Sequence, residues 1–72
     1  MRTWLRDLRT SHNFTMKEMG QKLHISESYY CAIENGDRQR KMDIVLVTDI
    51  ARVFKLPISK VASFETDWAT RT

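Results

Sequence analysis

Residues 15–36 read TMKEMGQKLHISESYYCAIENG, and the reading of this stretch decides the fold. Thr15 followed by Glu18 is a capping box. The threonine hydroxyl accepts from the backbone N–H of residue 18, and the glutamate reaches back to the N–H of Thr15. Phe14 and Met19 bracket the box as a hydrophobic staple, and the same grammar returns at Ser26 with Ile25 and Tyr30 as the staple. The spacing predicts one helix from residue 16 and a second from residue 27, joined by a tight turn over His24, Ile25 and Ser26. Gly36 ends the second helix, because glycine closes a helix in the left-handed conformation without a Cβ penalty.

Met19, Leu23, Ile25, Tyr30 and Ile33 are the apolar positions of the stretch, with Gly20 and Ala32 small. That spacing buries one side of two helices crossing steeply. Gly20 is the informative residue. A glycine inside a helix costs roughly 1 kcal/mol against alanine, so its presence points to another backbone passing close by. Spacing alone leaves an ordinary helical hairpin open beside a helix-turn-helix.

Outward from this stretch, Asp43 is an N-cap with Met42 and Val47 as its staple, which starts a helix at residue 44. Leu5 and Leu8 share one face of a first helix from Thr3 to His12. Pro57 introduces a last helix from Ile58 to Glu65 and leaves a tail over residues 66–72. Asn13, His24, Gly36 and Lys55 each follow a periodic apolar segment, at the place of a left-handed closing residue. His24 and Lys55 are costly there, since side chains disfavour positive φ. The expected fold is all-α, with five helices in a single domain over residues 1–72.

Composition bounds the function. A chain of 72 residues holds one core and has no room for a deep cleft. A hydrophobic fraction of 42% with two Gly and one Pro suits helices and not a disordered tail. The net charge of +3 permits a polyanionic partner without proving one. Cys31 is the one cysteine, which excludes an internal disulfide and fits a reducing compartment. His12 and His24 have no partner at ligand spacing, so no metal is expected, and no cofactor or small-molecule ligand is evident. No apolar run is long enough for a signal peptide or a membrane span, so the expectation is a soluble, intracellular protein that does not bind membranes. With no nucleophile and base, carboxylate pair or metal cluster in the sequence, an enzyme is not expected.

Residues Leu5 to Val61 resemble the Cro and phage-repressor type of helix-turn-helix domain, the XRE family. The resemblance is carried by Leu5-Arg6-Asp7-Leu8-Arg9, by Thr15 to Leu23, by Ile25-Ser26 at the turn, and by Tyr29-Tyr30 with Ile33-Glu34-Asn35-Gly36. Three features depart from the family pattern. His24 stands where glycine is usual, Met16 where a phosphate-contacting glutamine is common, and the loop after Gly36 is longer than usual.

The resemblance implies a five-helix, lambda-repressor-like fold whose third helix enters the major groove of double-stranded DNA while the second crosses the backbone. It implies a transcriptional regulator, a repressor, acting as a homodimer in the cytoplasm, of prokaryotic or phage origin and at the nucleoid when bound. Glu27, Ser28, Tyr29 and Ala32 match base-facing positions. Ser28 can donate or accept at base edges, Ala32 can touch a thymine methyl, and Glu27 can accept from a cytosine amino group. Glu27 serves equally as a first-turn acid favoured by the helix dipole. Thr15, Lys17, Asn35, Arg38, Arg40 and Lys41 match positions near phosphates, and the start of the second helix offers unpaired N–H groups to an anion. Arg9 and Glu34 match a structural ion pair joining the first helix to the third.

A second class of function is a protein-interaction module, such as an antitoxin or adaptor that keeps the helix-turn-helix for its fold. It is favoured if Met16 and Glu27 weaken the DNA face while Phe64 and Trp68 form an apolar patch near the C-terminus. The same two aromatic residues are the expected anchors of a homodimer.

Overall fold

The computed structural model describes residues 1–71 and consists of five helices in the order α1 (Thr3–Ser11), α2 (Met16–Leu23), α3 (Glu27–Asn35), α4 (Ile44–Phe54) and α5 (Ile58–Arg71). The starts of α2, α3 and α4 are set by the side chains read from the sequence. Thr15 Oγ1 accepts from the N–H of Glu18 at 3.1 Å and the Glu18 carboxylate accepts from the N–H of Thr15 at 2.9 Å. Ser26 accepts from the N–H of Tyr29 and Asp43 from that of Leu46. The ends follow the same logic. Asn13, His24 and Lys55 all lie at φ between 55 and 59°, and Gly36 at 87°. The same conformation at Gln39, φ 56°, carries no mark in the sequence.

The last helix corrects the sequence reading. It does not stop at Glu65 but continues to Arg71, so the tail expected over residues 66–72 is helical as far as it is described, and Thr72 lies outside the described residues. No Gly or Pro interrupts residues 66–71, and the added turns are held from inside: the Trp68 ring lies over the Arg2 guanidinium and its Nε1–H donates to the Met1 carbonyl at 2.8 Å. Phe64, one turn earlier, stacks on Trp4 with centroids 5.8 Å apart. Both aromatic residues expected as surface anchors are thus half-buried in contacts within the chain.

Leu5, Met19, Leu23, Tyr30, Ile33, Leu46, Val47, Ile50, Ala51, Phe54 and Val61 make one core to which every helix contributes. Ile25, Met16 and Met42 pack against its edge. The tight crossing of α2 and α3 has a visible cause at Gly20. A Cβ there would lie 2.8 Å from the Ile25 carbonyl oxygen and 3.3 Å from the Glu27 nitrogen, both backbone atoms that a side-chain rotation cannot move. Among the described residues no helix is long and apolar enough to cross a membrane.

Candidate nucleic-acid interface

Three pieces of chain surround α3: the start of α2, the turn at His24 to Ser26, and the loop 37–43. Glu27 and Ser28 are exposed on the first turn of α3, and together with Met16 and Cys31 they line a shallow depression between α2 and α3. Glu27 sits in the first turn behind the Ser26 cap, where its charge suits the helix dipole. Ala32 is half-buried, and its carbonyl accepts from the N–H groups of Asp37 at 2.9 Å and Arg38 at 3.3 Å. Tyr29, matched to a base-facing position, packs partly against the core, and its hydroxyl accepts from Gln39 Nε2 at 2.8 Å. That bond folds the loop back along α3 toward its N-terminal turn.

The cations Arg38, Arg40 and Lys41 are exposed. Asn35 is also exposed, with its amide 3.6 Å from Cys31 Sγ, but Asn35 and Arg40 border a second depression with Met1, Gly36 and Trp68, at the C-terminal end of α3. Thr15 and Lys17 are exposed at the start of α2. There the capping box already uses two donors, since the N–H groups of Thr15 and Glu18 are bonded within it. Of the first-turn donors that a helix cannot satisfy internally, those of Met16 and Lys17 are left for an outside anion. The Glu18 carboxyl is held below the usual carboxylate range by the Thr15 N–H, so a negative charge stands beside these two N–H groups.

Beneath this surface lies the ion pair. Arg9 Nε is 2.8 Å from Glu34 Oε2 and its Nη2 is 3.1 Å from Oε1, a bidentate fork. Glu34 is fully buried and accepts a further bond from the Tyr30 hydroxyl at 2.8 Å, while Arg9 Nη1 donates to the Phe14 carbonyl at 3.0 Å. The bond to Glu34 raises the Arg9 pKa above its usual value, with burial working against it. The pair ties α1 to the last turn of α3 and to the segment leading into α2.

Burial, and then the bond to Glu34, push the Tyr30 hydroxyl pKa far above the ordinary tyrosine value of about 10. Below that ordinary value both folded and unfolded chains keep the proton. Above it the unfolded chain releases its proton first, so stability falls as pH rises past about 10. In a Tyr29→Phe variant, which leaves Tyr30 as the one tyrosine, tyrosinate absorbance is expected to appear only together with loss of helical circular dichroism. Growth of that absorbance while the helical signal is intact would contradict the burial of Tyr30.

A second buried charge has no signature in the sequence. Arg2 is fully buried and forms a bidentate pair with Glu65 of α5, with Nε to Oε1 and Nη2 to Oε2 both 2.8 Å. Its Nη1 donates to the carbonyls of Ile33 at 2.6 Å and Arg38 at 3.0 Å, and Nη2 donates to that of Gln39. A lone arginine ahead of the first helix gives no periodicity or spacing from which this could be read.

A helix-turn-helix family model of the XRE type matches residues 5–61, from α1 into the first turn of α5. No curated protein and no solved structure matches the chain. The matched family is one of DNA-binding regulators. With its capped α2, its backbone approach at Gly20, its left-handed turn and the Arg9–Glu34 pair at the base of α3, the chain belongs to the XRE family of helix-turn-helix domains.

Proposed function

We propose that the protein is a sequence-specific DNA-binding repressor that acts as a homodimer, with the first turn of α3 in the major groove. The observation that carries this reading is the exposure of Glu27 and Ser28 on the first turn of α3, together with the exposed cations of a loop that is tied to the same helix by the Gln39–Tyr29 bond. Base edges are then met by Ser28, Glu27 and Ala32, with Tyr29 held against the loop at their side. Phosphates are met by Arg38, Arg40 and Lys41, by Lys17 and Thr15 at the start of α2, and by Asn35. A second copy supplies the second half-site, because one reading helix offers few base contacts. Ile44, Val45 and Ile58 are large apolar side chains left exposed for contact between copies, whereas Phe64 and Trp68 are half-buried within the chain.

The test is selection of bound duplexes from a random pool. The reading expects a shared sequence with two related half-sites whose centres are about 10 base pairs apart, or a multiple of that. A pool that yields no common sequence at low salt overturns it. The antitoxin or adaptor reading rests on Ile44 and Val45, exposed at 69% and 66% beside the loop. It takes over if the protein binds no duplex at all.

A further inference from the structure

We infer that Arg2 is a positioning residue for DNA binding: buried behind the cationic loop, it holds the backbone of that loop in the shape that presents its side chains to phosphates. The inference rests on the reading of residues 38–41 as phosphate contacts.

A guanidinium has five N–H donors in a fixed fork. In Arg2 each is matched to an acceptor: the two carboxylate oxygens of Glu65 and the carbonyls of Ile33, Arg38 and Gln39. The Trp68 ring stacks over the guanidinium at 4.5 Å, and Trp4 Nε1–H shares the Glu65 carboxylate at 3.3 Å. The Glu65 pair and the Ile33 carbonyl join α5 to the end of α3. The remaining two acceptors belong to the loop that bears the cations. There the chain has no helix of its own, and Gln39 is held at a positive φ that glutamine rarely adopts.

Gln39 carries the constraint onward. While Arg2 holds its carbonyl, its side chain donates to the Tyr29 hydroxyl at 2.8 Å and accepts from the N–H of Asp43, the cap of α4, at 3.2 Å. A connected path thus runs from Glu65 on α5 through Arg2 to Gln39 and to Tyr29 on the reading helix. A loop ordered in advance loses less conformational entropy when its arginines meet phosphates. Lysine cannot replace Arg2, because an ammonium has three donors and no planar fork.

The experiment is a salt titration of duplex binding at a temperature where circular dichroism shows every variant folded. It compares the parent, Arg2→Lys, Glu65→Gln, a loop variant with Arg38, Arg40 and Lys41 all changed to Ala, and the loop variant combined with Glu65→Gln. Glu65→Gln keeps the shape of the side chain and removes the charge that anchors Arg2, so it carries the test if Arg2→Lys does not fold. Glu65→Gln is expected to weaken binding about tenfold and to lower the slope of log affinity against log salt by about one unit. In the combined variant Glu65→Gln adds nothing, because the cations it would misplace are already gone. If Glu65→Gln keeps the affinity and slope of the parent while the loop variant loses both, Arg2 is only a structural clamp. In that case the inference fails and the loop reading stands. If the loop variant itself binds like the parent, the loop reading fails and takes the inference with it.

Discussion

Replacing Arg9 by alanine is expected to lower folding stability by roughly 3 to 5 kcal/mol. The magnitude comes from what is left behind. Glu34 is fully buried, and without Arg9 its carboxylate keeps the Tyr30 hydroxyl as its side-chain partner and has no cation to balance its charge. Glu34→Ala is expected to cost less than Arg9→Ala, because the Arg9 side chain is 13% exposed and can turn its charge toward water. Its cost still includes the stranded Tyr30 hydroxyl, a buried polar group worth about 1 to 3 kcal/mol when unpaired. Against a total of about 5 to 10 kcal/mol for a domain of this size, either change removes a large share of the stability. Urea unfolding of both variants, beside an exposed substitution such as Thr66→Ala, checks this. Midpoints no lower than that of the surface variant would contradict the account of the pair.

The second large effect belongs to the loop. Changing Arg38, Arg40 and Lys41 together to alanine is expected to lower the slope of log affinity against log salt by about one unit for each phosphate no longer neutralised, so by about three units in all. Selected and unrelated duplexes should lose affinity alike, because a phosphate carries no sequence information. All three side chains are exposed, so the fold should survive. A slope unchanged from the parent would place the phosphate contacts elsewhere, with the N–H groups of Met16 and Lys17 at the start of α2 the next site to examine.

What is legible in the sequence is local. Each N-cap lies three residues before the N–H group it accepts from, so Thr15, Ser26 and Asp43 announce three helix starts within a window that a reader can scan. The left-handed closures at Asn13, His24 and Lys55 follow from where the apolar periodicity stops, even with side chains that resist the conformation. Gly20 is legible because a glycine inside a helix needs a reason, and the Ile25 carbonyl supplies one. The Arg9–Glu34 pair comes from the family resemblance and not from spacing.

What is not legible joins distant positions. Arg2 gathers residues 33, 38, 39 and 65 around one guanidinium, and no period or cap records such a cluster. For the same reason the full length of α5 escapes a sequence reading. Residues 66–71 look like a tail until Trp68 is seen over Arg2, with Glu65 bonded to the same guanidinium. Helical spacing beside Tyr30 points Tyr29 outward, but its hydroxyl is claimed by Gln39 across the loop.

The central claim is that α3 reads bases while the loop docks on phosphates, and it is tested most directly by comparing Ser28→Ala with Arg38→Ala on a selected and an unrelated duplex across a range of salt. Ser28 is exposed on the first turn of α3, so its loss should leave the fold intact, as circular dichroism will verify. Ser28→Ala is expected to cost about 1 to 3 kcal/mol on the selected duplex only, with the salt slope nearly unchanged. Arg38→Ala is expected to weaken both duplexes equally and to lower the slope by about one unit. If both variants weaken both duplexes by the same factor, the first turn of α3 does not read bases, and the account of this protein as a sequence-specific regulator is wrong.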